Sequence, residues 1–135
     1  MKNKLLLLFF LIFFSFPLLA ENLNIQSKNI TIDKGQEITI FENEVIVTTE
    51  DKNIIQSDYA EYNRNKSFLK LKGNIKVIDK RGNIIKTSYA EYDENKRIFK
   101  SLGDTFIETS EKYLLTGSDI ILDDRNKIIN SEKKT

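Results

Sequence analysis

A thirty-residue repeat limits what this chain can fold into more tightly than any other feature. Residues 57–70 (SDYAEYNRNKSFLK) set against residues 87–100 (TSYAEYDENKRIFK) share seven identities in fourteen positions. The same offset carries Ile54-Ile55 onto Ile84-Ile85 and Leu114-Leu115, Gly73-Asn74 onto Gly103-Asp104, and Val45/Val47 onto Ile75/Val77 and Thr105/Ile107. It also runs backwards, since Ile25-Gln26-Ser27 precedes Ile55-Gln56-Ser57 and Asp33 precedes Asn63 by 30 residues. A fixed period of this length means stacked supersecondary units, none able to bury its apolar face alone.

The unit is β. Leu69, Leu71, Gly73, Ile75 and Val77 alternate with Lys70, Lys72, Asn74 and Lys76, the two-residue period of a strand with one wet face. Clusters rich in Asp, Asn, Gly and Lys at 33–36, 50–53, 63–66, 79–83, 93–96 and 123–126 mark turns. Antiparallel strands of five to nine residues are therefore expected about fifteen residues apart, two per repeat, with Gly73 and Gly103 inside strands where a bend or close approach occurs. The step from Ser57 to Ala60 is odd, which breaks simple alternation. A bulge near Asp58-Tyr59, repeated at Ser88-Tyr89, keeps Ile55, Ser57, Ala60 and Tyr62 on one face. Leu115, Gly117, Ile120 and Leu122 fill the same columns in the third repeat, so those positions call for apolar character and not for tyrosine chemistry.

The first twenty residues stand outside this pattern. Lys2 and Lys4 precede an apolar run over 5–16, followed by Pro17 and a small residue at Ala20, the layout of a secretory signal. Residues 1–20 are read as the signal peptide and 21–135 as a single domain, with incompleteness at its C-terminus left open and export to a periplasm-like compartment expected. Leu18 is large for the position three residues before the cleavage point; uncleaved, the segment is an anchor, though residues 5–20 fall short of the ~20 a spanning helix needs. Its removal leaves 115 residues with 19 basic and 20 acidic side chains, net −1, and eighteen Ile. The whole chain has no His, Cys or Trp, which removes imidazole and thiol bases, cysteine nucleophiles, disulfides and ordinary zinc sites. No cofactor or metal is expected, and the mixed charge offers no basic face for nucleic acid.

An apolar pair, a Ser-Asp step, Ala-x-Tyr, an Asn/Asp turn and then Leu71-Lys-Gly-Asn-Ile75 together resemble the OstA-like family, which includes the lipopolysaccharide carrier LptA, the anchored LptC and the N-terminal domain of the translocon LptD. The resemblance spans roughly residues 24 to 130; it is best at 57–62 and 71–75, weakens at 102–105 and fails at Lys133, where a third Gly should stand. It implies an open, twisted β-jelly-roll whose interior shelters acyl chains, each CH₂ of which costs about 0.8 kcal/mol in water. The groove-lining candidates are Val45, Val47, Tyr62, Leu69, Leu71, Ile75, Val77, Tyr92, Phe99, Ile107, Leu115, Ile120 and Leu122. Implied partners are lipopolysaccharide and, through open strand edges at the two ends, another OstA-like domain: LptC-like, LptD-like or a second copy. Lys70, Lys72, Lys76, Lys96 and Lys100 are expected outside.

Three readings remain open at this point. The favoured one is an LptA-like carrier or bridge; the second is the N-terminal periplasmic part of an LptD-like translocon, since Thr135 lies 30 residues after Thr105 where a further strand is due. The third is a structural β-repeat without ligand, because ordinary core packing accounts fully for the apolar columns. Glu61, Glu91 and Asp58 as catalytic carboxylates are disfavoured by their recurrence at the repeat period, and Asp123-Asp124 lacks the ligand spacing of a calcium loop. The chain is not read as an enzyme.

Overall fold

A computed structural model describes residues 23–126 and 128–131 of the chain. Among them are eleven strands: β1 (Asn24–Gln26), β2 (Asn29–Asp33), β3 (Ile38–Thr48), β4 (Ile54–Asn63), β5 (Phe68–Ile78), β6 (Ile84–Asp93), β7 (Ile98–Ser101), β8 (Asp104–Glu108), β9 (Leu114–Ser118), β10 (Ile120–Asp123) and β11 (Ile128–Ser131). Every pairing is antiparallel. The fold class is the expected one, an all-β open sheet.

The turns repeat as the sequence does. Asp33, Asn63, Asp93 and Asp123 each accept backbone N–H bonds from two or three residues further on, and the hairpins close through left-handed residues at Glu37, Ser67 and Arg97. A short Asx side chain that caps its own turn is what specifies these corners. The alternate turns, 49–53, 79–83 and 109–113, share a second geometry with left-handed Lys52, Gly82 and Lys112.

The long strands run through 10 or 11 residues, more than the five to nine expected, because each bends at its middle instead of ending there. Register shifts fall between Glu42 and Val45, Gln56 and Tyr59, and Lys72 and Ile75. The irregularity expected at Asp58-Tyr59 is present, but the left-handed pair that makes it sits on the facing strands, at Asn43-Glu44 and Gly73-Asn74. Asn74 Nδ2 donates to Asp58 Oδ2 at 2.8 Å across the bend. Gly103, expected inside a strand, lies in the gap between β7 and β8, where the chain breaks completely at the same bend.

The bends divide the sheet into two walls. One is built from β2, the first half of β3, the second half of β4, the first half of β5, the second half of β6, then β7, β10 and β11. The other is built from β1, the complementary halves of β3 to β6, then β8 and β9. One apolar cluster fills the space between them, from Phe41 to Leu122. Burying a Val, Leu, Ile or Phe side chain there is worth about 1.5–3 kcal/mol, so the repeats are held by stacking on their neighbours.

Candidate functional site: the interior between the walls

Cross-strand register arranges the inward side chains in rows. Near the rim of the first wall runs Ile32, Thr39, Tyr62, Leu69, Tyr92, Phe99, Leu122 and Ile129, and beside it Ile30, Phe41, Ala60, Leu71, Ala90, Ser101 and Ile120. The second wall contributes Ile25, Val47, Ile55, Val77, Ile85, Ile107 and Leu115, and next to the bend Val45, Ser57, Ile75, Thr87, Thr105 and Gly117. All thirteen groove-lining candidates fall in these rows. Their environments differ with position along the rod.

In the middle the interior is closed to solvent: Val47, Leu69, Leu71, Ile75, Val77 and Phe99 are no more than 1% exposed. Val45, Tyr92, Ile107, Ile120 and Leu122 are also buried. Tyr62 is half-buried and donates its hydroxyl to Glu94 Oε2 at 2.7 Å. Tyr92 lies beneath the rims; burial, then the carboxylates of Asp124, Asp51 and Glu94, raise its phenol above the usual range and hold it neutral. Leu115 departs from the inside placement its column implied: it faces inward opposite Ile107 but is 51% exposed, since among the described residues no strand covers β9. Ile30 and Ile32 on β2 and Ile129 on β11 are uncovered in the same way. Sequence reasoning passed over these three, although each sits in a strand that, among the described residues, has a neighbour on one side only.

The third repeat carries a feature the columns concealed. Thr105, standing where Val45 and Ile75 stand, donates to Ser101 Oγ at 2.6 Å, and Ser101 Oγ accepts from Ile120 N at 2.8 Å. These buried hydroxyls satisfy backbone groups freed by the break between β7 and β8.

Outside, one row of charge is paired by register. Glu61, Lys70, Glu91 and Lys100 form one cross-strand row, alternating in sign on the solvent face. The carboxylates weighed for catalysis thus stand in a surface ladder and Asp58 in a bend. Asp123 Oδ1 accepts from the backbone of Arg125 and Asn126, Asp123 Oδ2 from Asn126 Nδ2, so both oxygens serve the turn.

The rims of the two walls meet. Arg97, on the turn after β6, contacts Glu50 through Nε at 3.1 Å and Nη2 at 2.6 Å, and reaches Asp51 at 3.7 Å. Asn53 Nδ2 donates to Asp124 Oδ2 at 2.6 Å. Burial, with Asp51, Asp79 and Asp123 nearby, pushes the Asp124 carboxyl up to about 6 against the pull of Asn53. Sequence offsets of 47 and 71 residues are not multiples of the repeat, so only the folded-over sheet reveals these pairs.

The family model described as lipopolysaccharide-assembly, LptC-related, matches residues 20–133. The chain belongs to the LptC-related family. Among solved structures it is similar to LptH of Pseudomonas aeruginosa, described as the LptA-homologous periplasmic component of the lipopolysaccharide transport device. The TM-score is 0.68 over 83% of this chain and 82% of LptH, at 13% identity, a likeness of fold. A search of curated proteins returned no match. Proteins of the LptC and LptA type are non-enzymatic transport components of the cell envelope, and an LptC-related jelly-roll is what the two bent walls form.

Proposed function

We propose that this LptC-related chain shelters the acyl chains of lipopolysaccharide between its two walls and bridges that path to a neighbouring jelly-roll in the periplasm. The observation that carries the reading is the continuity of the inward rows with uncovered apolar residues at both ends: Ile30 and Ile32 at one, Leu115 and Ile129 at the other. A rod built only to be stable ends in a polar cap; here, among the described residues, the apolar interior runs out to unpaired strand edges. Among the described residues, β1 and β2 at one end and β9 and β11 at the other pair on one side only, so a further strand can add to each and lengthen the groove.

The partner at those edges is another OstA-like domain, LptC-like, LptD-like or a second copy. The groove-lining set is Val45, Val47, Tyr62, Leu69, Leu71, Ile75, Val77, Tyr92, Phe99, Ile107, Leu115, Ile120 and Leu122. Residues 1–20 lie outside the described residues; as a signal they deliver residues 21–135 to the periplasm, and the intact mass of the exported protein distinguishes a released bridge from an anchored one. Native mass spectrometry of the protein purified from cells that make lipopolysaccharide tests the reading. Retained lipopolysaccharide supports it, whereas a lipid-free protein that also takes up none from added micelles favours a structural β-repeat.

A further inference from the structure

Resting on the lipid-sheltering reading, we infer that the seam where the rims meet is the side door to the interior, held shut by two side-chain latches, Arg97 with Glu50 and Asn53 with Asp124. An acyl chain cannot reach Val47, Leu69 or Val77 in the closed form, since these are no more than 1% exposed. It must thread in from an end or enter where the walls part.

The bonding differs sharply between the two directions. Neighbouring turns of one rim are joined through the backbone: Arg64 N to Glu37 O, Glu94 N to Ser67 O and Asp124 N to Arg97 O, at 3.0–3.1 Å, a bond that recurs every 30 residues. Each repeat is thus fixed to the next. The two latches that span the rims are side-chain contacts, Arg97 to Glu50 and Asp51, and Asn53 to Asp124. Parting them breaks no ladder hydrogen bond.

The closed latch region also carries its own opposition. Asp51 Oδ2 is buried without a hydrogen-bond partner, an arrangement that disfavours the state containing it. Beside it a cleft of about 370 Å³ has a rim of mixed charge, with Asp51, Asp79 and Asp124 beside Lys80 and Arg81, and takes Leu122 and Ile129 from the inward row. Polar groups at the lip and apolar ones at the floor suit an amphiphile whose head group stays outside while its chains pass in. The Asn53–Asp124 latch borders this cleft.

The test exploits the absence of native cysteine. Asn53→Cys/Asp124→Cys, replacing side chains that meet across the seam, is bridged by a short bis-methanethiosulfonate whose disulfides a reductant cleaves, with bridging checked by intact mass; it carries a benzophenone amino acid at Phe99 and is exposed to lipopolysaccharide micelles under light, bridged or reduced. The expected result is at least a tenfold loss of adduct in the bridged form, regained on reduction. Equal labelling in both states overturns the side door, because the chains then enter through the ends. Labelling in neither state, and none in the parent carrying the same photoprobe, overturns the sheltering reading and the latch with it. As an independent arm, Glu50→Ala/Arg97→Ala is expected to speed adduct formation at least threefold, and an unchanged rate counts against the latch.

Discussion

Gly73 meets two demands at once. Its φ of +82° lies in the left-handed region, and a Cβ there would sit 2.7 Å from Asp58 Oδ2, the atom that accepts from Asn74 across the bend. Gly103 has a φ of +87° but nothing within 4 Å of a Cβ. Gly73→Ala is therefore expected to cost about 2–3 kcal/mol and Gly103→Ala about 1 kcal/mol, read as urea midpoints at constant slope; equal losses would show that the Asp58 contact is immaterial. Asp124 supplies a pH dependence. Its carboxyl is raised from 3.8 to about 6, so between those values the folded chain holds more proton than the unfolded one. Stability then falls as pH rises through that window and levels off above it. Asp124→Asn keeps an acceptor for Asn53 and removes the charge; at pH 7 it is expected to exceed the parent by about 1 kcal/mol, less than the full shift implies because solvent screens a half-buried carboxylate. The advantage should disappear near pH 4, where Asp124 is protonated, and an advantage independent of pH would assign it to something other than this titration.

At the scale of elements, the bend in the middle of each long strand makes two walls from one sheet. Leu69, on β5 at 0% exposure, and Leu115, on β9 at 51%, occupy inward rows with opposite energetics. Leu69→Ala is expected to cost about 2–5 kcal/mol and Leu115→Ala under about 0.5 kcal/mol by urea unfolding, so a large loss at Leu115 would mean that β9 is covered in solution. Much of this was legible in the sequence. Period-two alternation around Leu69–Val77 gave the inward phase, the Asp and Asn turn residues gave the corners, and the odd spacing from Ser57 to Ala60 located the bend. Strand length was not legible, because a bulge leaves the same polar interruption as a strand end. Nor was the Thr105–Ser101 hydroxyl pair, which answers a backbone break that exists only once β7 and β8 separate. The Arg97–Glu50 and Asn53–Asp124 contacts were hidden for another reason: they join turns whose proximity comes from folding the sheet over, and no local pattern encodes it.

At the scale of the whole molecule, stacking of repeats produces a rod whose sides are closed and whose ends are not. The uncovered Ile30, Ile32, Leu115 and Ile129, together with the single-sided pairing of β1, β2, β9 and β11 among the described residues, are what the proposed end-to-end contact would use. Ile32→Lys places a charge on the inward face of β2, where a partner's strand would pack. It is expected to lower end-to-end association at least tenfold in analytical ultracentrifugation, against another OstA-like domain or a second copy, with the monomer's urea midpoint unchanged; undiminished association would move the contact elsewhere. The central claim, that the space between the walls is a lipid path, is tested most directly by photo-crosslinking in cells that make lipopolysaccharide. The photoprobe stands at Val77 and Phe99, each 1% exposed and inward, with Lys76, on the outer face of the same strand as Val77, as control. Lipopolysaccharide adducts at Val77 and Phe99 but not at Lys76 are the predicted result. Adducts at none of the three in the folded, exported protein, or at Lys76 alone, would contradict a lipid path between the walls.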